Sequence, residues 1–405
     1  MKKHLVALAV ALSLVGTAHA ETRSLAMGGA GVANGNYTQA GFLNPALMAR
    51  FEDRDHIGIV FPSLGIEVAD SDDLVDSLDQ FQADYDAFEQ ALENSVDAAT
   101  LEQARANLTA SFVNIEGDLT LDGTVYAKLA IPTSFLSSAI YVNSRVNLLT
   151  GPRLNESDLA LIANATSIDA LDGLASTALV IGNAVTDFGL VLAKRFELAG
   201  NELALGVTPK LQRVDTFAYA ATIDDFDEDD YDSQNYSNDD SFSNVDVGVT
   251  YSNARWSVGL VARNLISQEL SAGPIQLFNP GVPLTLEYEF EPSATAGFGF
   301  NSRFFAFALD VDLTPTRYLQ LSEASQQQLF GEEIEHQFAR AGIEFDLFRN
   351  AQLRIGYRHD LEGTFDDAYT AGIGLSPFGR VHLNINAVYT DENNFGAGLQ
   401  FAFTF

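Results

Sequence analysis

The sequence has no cysteine among its 405 residues, and only 22 lysine and arginine residues against 55 aspartate and glutamate residues. Without cysteine, a disulfide framework, a thiol redox motif and a thiolate metal site are excluded. The formal net charge of −33 excludes nucleic-acid binding through a general basic surface. After residue 20, no stretch approaches the ~20 continuous apolar residues of a membrane-spanning helix. A membrane protein that crosses the bilayer with strands is still allowed.

Residues 1–20 have the features of a secretory signal peptide. Lys2 and Lys3 form a positive n-region, Leu5 to Val15 is apolar, and Ala18-His19-Ala20 is an A-x-A cleavage site. We therefore expect an exported chain that begins at Glu21.

The last twelve residues, 394–405, alternate strictly between two kinds of side chain. Every second residue from Phe395 to Phe405 is apolar, and the residues between them are small or partly polar. Because side chains on a strand alternate between its faces, this pattern predicts a strand with one lipid-facing side. The terminal Phe405 resembles the signal that outer-membrane barrels present to the barrel assembly machinery.

The same period of two recurs along most of the chain, in segments near the ~10 residues that cross a bilayer at a tilt. The predicted strands are 56–69, 120–131, 136–148, 184–197, 201–221, 243–252, 255–266, 292–301, 303–314, 335–347, 350–359, 367–376, 379–389 and 395–405. The pattern predicts an all-β fold, a closed antiparallel transmembrane β-barrel of about fourteen strands that occupies residues 51–405.

The lengths of the connections support the barrel. Tight turns alternate with longer links, of which 70–119, 149–183, 222–242, 267–291 and 315–334 are the longest. Outer-membrane barrels have short periplasmic turns and long external loops, whereas a soluble sandwich has no reason to keep such an alternation. Aromatic residues beside the short turns are expected to form a girdle, namely Phe196, Tyr251, Trp256, Phe348 and Phe378.

Two of the long links have their own character. In 71–109, apolar residues recur at spacings of three and four, which predicts an amphipathic helical hairpin. This external insertion either covers the barrel mouth as a lid or packs on itself. The link 222–242 carries nine acidic residues between Asp224 and Asp240. A calcium site there lacks the glycine and the closing glutamate of an EF-hand, so we favour a solvated loop.

If the apolar rows face lipid, the opposite rows face the barrel lumen. The charged residues on these inward rows include Asp310, Asp312, Arg340, Glu344, Asp346, Arg354 and Arg358. Charges of both signs lie on neighbouring strands. They form either a selectivity path for a permeating compound or a structural network that holds the wall to a plug.

The N-terminal segment carries a resemblance to a known family. Gly28-Gly29-Ala30-Gly31 followed by Asn44-Pro45-Ala46 is similar to the start of FadL-like outer-membrane transporters, and Arg23-Ser24-Leu25-Ala26-Met27 and Leu353-Arg354-Ile355-Gly356-Tyr357 resemble the TraF-like (conjugal transfer) branch of that superfamily. The resemblance implies fourteen strands and an N-terminal hatch, here residues 21–50. The Asn-Pro-Ala motif ends the hatch, and Asn44-Pro45 is expected to fix the turn into strand one.

The resemblance implies two functions. The first is a passive uptake channel for small hydrophobic compounds in the bacterial outer membrane, gated by the hatch and surrounded by lipid and lipopolysaccharide. The second is a non-transporting component or scaffold of a conjugal transfer or secretion apparatus. No Gly-x-Ser-x-Gly or His-Glu-x-x-His motif is present, and His56, His336, His359 and His382 lie on separate predicted strands. We therefore expect neither an enzyme nor a cofactor.

Overall fold

A computed structural model describes residues 21–94, 96–171, 173–222, 237–277, 281, 283–347 and 350–405. The alternating sequence forms strands because extended chain places its apolar residues on one face. The strands are β1 (Gly58–Asp70), β2 (Leu119–Ile131), β3 (Ser137–Arg153), β4 (Thr177–Leu198), β5 (Asn201–Thr222), β6 (Ser237–Ser252), β7 (Trp256–Arg263), β8 (Gln268–Gln276), β9 (Pro283–Phe290), β10 (Ser293–Asn301), β11 (Phe305–Asp312), β12 (Thr316–Arg317), β13 (Glu335–His336), β14 (Phe338–Leu347), β15 (Ala351–Asp360), β16 (Ala368–Leu375), β17 (Val381–Tyr389) and β18 (Asn394–Thr404).

All of these strands except β8, β9, β12 and β13 form one closed antiparallel barrel of fourteen strands. The barrel closes where β1 pairs with β18, from Gly58 opposite Thr404 to Ala69 opposite Asn394. Past the end of β18, the Phe405 amide donates to the Ile57 carbonyl at 2.9 Å. Closure pairs the backbone of every strand on both sides, as the interior of a bilayer requires. The predicted fold class and strand number are confirmed.

The two faces of the wall differ as the alternation predicts. On β3, Ile140 is 58% exposed, whereas the adjacent Tyr141 is 6% exposed and faces inward. Outward apolar residues of similar exposure occur on every side of the barrel, for example Phe188, Leu260, Leu309, Ile355 and Ile385. Their number and continuity form an apolar outer surface that is suited to lipid rather than to water.

The longer connections contain further elements. The helices are α1 (Thr22–Leu25), α2 (Leu74–Glu93), α3 (Ala98–Val113), α4 (Glu156–Asn164) and α5 (Glu323–Leu329). Strands β8 and β9 form a separate hairpin, and β12 pairs with β13. In the part of the chain that the structure describes, no helix is long and apolar enough to cross a membrane.

Helices α2 and α3 form the hairpin predicted for 71–109, which continues to Val113. Asp97 caps α3 by accepting hydrogen bonds from the amides of Ala99 and Thr100 at 3.0 and 3.1 Å. The hairpin shares a hydrophobic core with the β3–β4 connection, in which Phe88 and Phe112 pack with Ile162 and Leu171. The core therefore joins two loops, and a lid role for this insertion stays a prediction.

Three sequence predictions fall on residues outside the described ranges. These are the signal peptide 1–20, residues 223–236 of the acidic link, and Phe348 of the aromatic girdle.

Candidate functional site: the hatch and the barrel interior

Residues 21–50, called the hatch from here on, lie inside the barrel and are almost entirely buried. Leu43, Leu47 and Met48 form a core with inward side chains of the wall, among them Tyr126 and Val191. A glycine-rich segment of this length fits the lumen because its backbone can lie close to the surrounding strands. The hatch implied by the resemblance is therefore present.

The predicted glycines Gly28, Gly29 and Gly31 lie against strands β11, β14 and β15. Gly28 and Gly29 have φ angles of +73° and +90°, in the region that favours glycine. A Cβ on Gly28 would overlap the Tyr357 carbonyl on β15, and the Gly28 amide donates to Thr370 Oγ1 at 2.9 Å. A side chain at Gly28 would push the hatch away from the wall, whereas one at Gly31 would collide with Leu43 within the hatch.

The motif Asn44-Pro45-Ala46 makes a turn inside the lumen. Asn44 Oδ1 accepts from the Ala46 amide at 3.0 Å, and Asn44 Nδ2 donates to the Val32 carbonyl at 3.1 Å. Asn44 thus caps the 3₁₀ helix Pro45–Ala49, and β1 begins only at Gly58. Asn44-Pro45 was expected to fix the turn into strand one. The motif caps this helical turn, and residues 50–57 lie between the turn and β1.

Asp310 on β11 binds the hatch backbone. Its Oδ2 accepts hydrogen bonds from the Gly31 and Val32 amides at 2.7 and 2.9 Å. Asp310 is 1% exposed. A buried carboxylate that accepts from two adjacent amides fixes the position of the backbone to which they belong.

Glu344 on β14 connects the hatch to the wall. Its carboxylate accepts from Arg23 of the hatch at 2.9 and 3.0 Å and from Arg354 on β15 at 2.6 Å. Arg354 also donates to Asn384 on β17 at 2.8 Å. The Glu344 carboxylate thus bridges two guanidinium groups. Removal of any one member of such a buried ion network leaves the remaining charges without their partners.

The remaining predicted lumen residues belong mainly to the wall. Arg340 forms a bidentate pair with Asp312, with both distances at 2.8 Å. Arg358 pairs with Glu67 on β1 at 2.5 Å. Asp346 accepts a hydrogen bond from Gln352 Nε2 at 3.5 Å. The sequence left two interpretations of the inward charges open, a selectivity path and a structural network that holds the wall to a plug. The contacts of Asp310, Glu344 and Arg354 correspond to the structural network.

Three further inward cations contribute, of which the sequence pattern assigned Arg263 to the charged lumen set but not Lys128 or Lys210. Lys128 on β2 donates to the hatch carbonyls of Tyr37 and Ala40, and Arg263 on β7 donates to that of Leu43. Lys210 on β5 is buried, with Asp187 at 3.4 Å and Asp246 at 3.2 Å. The alternation of the sequence predicts that each of these residues faces the lumen. It could not predict that Lys128 and Arg263 contact hatch carbonyls, because only the tertiary fold brings the hatch next to them.

The mouth of the barrel on the long-loop side is filled by an apolar cap, which we define as strands β8 and β9 with residues 318–330. Its buried side chains include Leu270, Leu286, Phe290 and Leu321. They pack on inward residues of the wall, which are Leu149, Leu179, Ile181, Val185, Val214 and Ala218.

The cap is also held by hydrogen bonds to the wall. Tyr288 Oη donates to the Phe217 carbonyl and accepts from the Gly182 amide, both at 3.0 Å. Asn183 Nδ2 donates to the Leu319 carbonyl at 2.8 Å. From the sequence, residues 267–291 were predicted to be a connection without strands of its own. A strand signal was nevertheless present, namely the alternation of Leu284, Leu286, Tyr288 and Phe290.

Within the described ranges, no group of three or more histidine, aspartate or glutamate side chains is arranged to hold a metal ion. The histidines are separated. His382 contacts Ser376 at 2.9 Å near the short turns, whereas His359 contacts Asp367 at 2.6 Å near the long loops.

A closed fourteen-stranded barrel with an apolar outer face and its own N-terminal segment in the lumen defines an outer-membrane β-barrel protein. The family model described as "F plasmid transfer operon, TraF, protein" matches residues 41–312. The chain belongs to this TraF family.

Comparisons with solved structures agree with the fold. The chain is similar to the toluene transporter TbuX of Ralstonia pickettii, with 10% identity, 97% of this chain and 99% of that chain covered, and a TM-score of 0.50. It is similar to the Pseudomonas putida toluene transporter TodX, with 10% identity, 96% and 98% coverage, and a TM-score of 0.51. The monoaromatic hydrocarbon channel CymD matches at 12% identity, 97% and 98% coverage, and a TM-score of 0.50. No curated protein sequence matches the chain significantly.

Proposed function

We propose that this protein is a passive channel for small hydrophobic compounds in the bacterial outer membrane, gated by the hatch and exported by a cleaved signal peptide. The solved barrels of the same fold are described as toluene transporters and a monoaromatic hydrocarbon channel. A channel of this kind supplies a route for compounds that the polar outer leaflet excludes.

The observation that carries the proposal is the apolar inner wall at the long-loop mouth. Residues Leu179, Ile181 and Val185 on β4 face the lumen, where a water-filled porin has polar side chains. Together with the cap they form a packed apolar region, and when the cap opens a small hydrocarbon enters it more readily than water or an ion.

Below this apolar region, the hatch closes the lumen. Its contacts are polar and specific, and they comprise the Glu344 network and the Asp310 hydrogen bonds. A compound that passes the cap therefore requires a rearrangement of the hatch. These contacts can break and reform without disturbing the barrel strands, because the ladders of the wall do not depend on them.

The test uses proteoliposomes and a labelled monoaromatic hydrocarbon. The cysteine-free chain allows a hatch lock, since a Cβ built on Gly259 lies 3.3 Å from the Ala33 Cβ, just below the ~3.5–4.5 Å usual in a disulfide. The same Cβ lies 2.9 Å from the Val32 carbonyl oxygen, so the hatch backbone shifts by a few tenths of an ångström to accommodate the bond. We expect uptake by the wild type, loss of uptake by the oxidised double variant Ala33→Cys/Gly259→Cys, and recovery after reduction. The reduced double variant is the matched control. Absence of uptake both in the wild type and after deletion of residues 21–45 would rule out a channel.

A role as a component of a conjugal transfer apparatus is the second candidate, and the TraF family match favours it. The α2–α3 hairpin with its partner loop supplies a contact surface outside the barrel. Deletion of the gene and complementation with the locked variant separate the two functions. Restoration of plasmid transfer by a lock that blocks uptake would assign the protein to the apparatus, whereas normal transfer after deletion would exclude that role.

A further inference from the structure

The lipid-facing wall has a hollow of about 920 Å³ across strands β1 to β6. Its outward lining is apolar and includes Phe61, Leu129, Ile140, Phe188, Leu190 and Leu211. Each of these residues is exposed to the surroundings of the barrel. A hollow of this size with an apolar lining fits hydrocarbon chains.

Irregular strand pairing accounts for the hollow. Strand β1 has a bulge between Val60 and Ser63, where Pro62 lacks an amide to pair with its neighbours. The pairing of β4 with β5 is interrupted between Gly189–Lys210 and Leu192–Val207, a gap that contains Pro209. Bulges and gaps bend the strands locally, so the wall here departs from a smooth convex surface.

A cation lies between aromatic rings on the same face of the wall, nearer to the short turns. Lys194 Nζ is 4.8 Å from the centre of the Phe135 ring and 5.7 Å from that of Phe196. Phe135 is 78% exposed. No carboxylate of the described residues lies within ion-pair distance of Lys194. A partly exposed ammonium group among aromatic rings at the edge of an apolar band is suited to the headgroup level of a membrane.

The hollow and the cation lie on one stripe of the wall. Leu190, which lines the hollow, and Lys194 share the outward face of β4 and are four residues apart. At ~3.3 Å per residue, four residues place the cation about 13 Å from the hollow, toward the short turns. A phospholipid has an anionic phosphate at the membrane surface and apolar acyl chains deeper in the bilayer. This order matches that of the cation and the hollow along the wall.

We propose that this stripe is a binding site for an anionic phospholipid in the leaflet beside the short turns. An acyl chain lies in the hollow, and the headgroup phosphate pairs with Lys194 between Phe135 and Phe196. The net negative charge of the lipid satisfies a cation that has no carboxylate partner in the described chain.

Native mass spectrometry of the detergent-solubilised barrel tests the site, with phosphatidylglycerol and phosphatidylcholine as probes. We expect phosphatidylglycerol to bind the wild type and the Lys194→Gln variant to bind it about tenfold more weakly. Ile140→Trp, which fills the hollow and leaves the cation, should also weaken binding. Arg380→Gln removes an exposed cation at the β16–β17 turn, away from the hollow, and should bind like the wild type. Equal affinity for the two lipids, or an equal loss in Arg380→Gln, would overturn the proposal.

Amine labelling gives a second readout that does not depend on a variant. Lys128 and Lys210 are buried, so Lys194 is the one accessible lysine side chain of the described residues. Phosphatidylglycerol nanodiscs should protect Lys194 from an amine-reactive reagent, and phosphatidylcholine nanodiscs should not. Protection in native outer membranes without protection in phosphatidylglycerol would assign the stripe to a protein partner and overturn the lipid assignment.

Discussion

Single carboxylates determine how the hatch is held. Glu344 accepts from Arg23 and Arg354, and Asp310 accepts from two hatch amides. Both carboxylates are buried or nearly buried. Water therefore cannot replace them as the acceptors for their guanidinium and amide partners. The hatch is therefore coupled to the wall through a small number of exchangeable side chains, while apolar contacts such as those of Leu47 fill the space between them.

The variant Glu344→Gln is expected to release the first part of the hatch. Removing the charge leaves two buried guanidinium groups without a counter-ion, which costs about 3 to 5 kcal/mol in buried pairs. Hydrogen exchange measured by mass spectrometry should be faster in residues 21–30 than in the wild type and unchanged in the barrel strands. Glu362→Gln, an exposed position in the β15–β16 loop, is the control. Unchanged exchange in 21–30 would show that the ion network does not hold the hatch.

His336 on β13 predicts a pH dependence outside the barrel strands. Burial lowers its pKa from 6.5 to about 4, opposed by Asp360 and Asp312 and reinforced by Arg340 and Arg358. The folded state therefore holds a neutral imidazole, and the unfolded loop binds a proton more readily. The loop is fully stable above pH 6.5 and loses stability as the pH falls toward 4.

Hydrogen exchange of residues 316–337, corrected for intrinsic rates, should show lower protection at pH 4.5 than at pH 7. His336→Phe keeps the ring contacts with Phe338 and Phe365 at 5.0 and 5.7 Å and removes the titration. Its protection should not fall between the two pH values. A pH dependence in the variant equal to that of the wild type would assign the effect to other groups.

At the scale of elements, the cap is the least expected feature. Strands β8 and β9 pack their apolar face inward, and the Tyr288 hydroxyl bonds two strands of the wall at once. A short hairpin is marginal alone, so it depends on these contacts. Opening of the cap is thus separable from unfolding of the barrel.

Tyr288→Phe is expected to loosen the cap. The change leaves the Gly182 amide and the Phe217 carbonyl without a side-chain partner, at a cost of about 1–3 kcal/mol for a buried polar group. Exchange of residues 268–290 should become faster, with little change in β14 to β17. Tyr251→Phe, near the short turns, loses a hydroxyl that accepts from Asn201 at 2.7 Å and should leave the cap unchanged. If both variants leave exchange in the cap unaltered, packing alone holds it.

At the scale of the whole molecule, closure between β1 and β18 places the last residue at the seam. Phe405 pairs with Ile57 through its backbone, and its side chain is 50% exposed. We expect the backbone seam to survive a change of this side chain, and recognition by the predicted assembly machinery to be lost. Folding and assembly can therefore be separated experimentally.

Phe405→Ala is expected to refold into detergent as well as the wild type and to reach the outer membrane in severalfold smaller amounts. The folded fraction is read from the mobility difference between heated and unheated samples, and the membrane level from fractionated cells. Phe395→Ala, which changes the same outward row of β18 away from the terminus, is the control. Equal membrane levels for Phe405→Ala and the wild type would remove the assembly signal.

Much of the architecture was legible from the chain alone because the membrane imposes a simple rule. Outward residues such as Ile140 must be apolar and inward residues such as Lys128 need not be, so a period of two marks each strand and its orientation. The alternation of short and long links then predicted that these strands close into an antiparallel barrel. The period of two shows which side chains face the lumen but not what they contact there. The contacts of Lys128 and Arg263 with hatch carbonyls and the inward packing of β8 and β9 were therefore missed.

The sequence by itself determined the strand number, the lipid-facing rows and the charged inward residues, because each follows from local alternation. Only the tertiary structure decided which partners those residues have. Glu344 meets Arg23 across 321 positions of the chain, and the bends at Pro62 and Pro209 come together in one hollow. Such contacts join segments that are distant in sequence, and barrel closure, which is a property of all fourteen strands together, sets them.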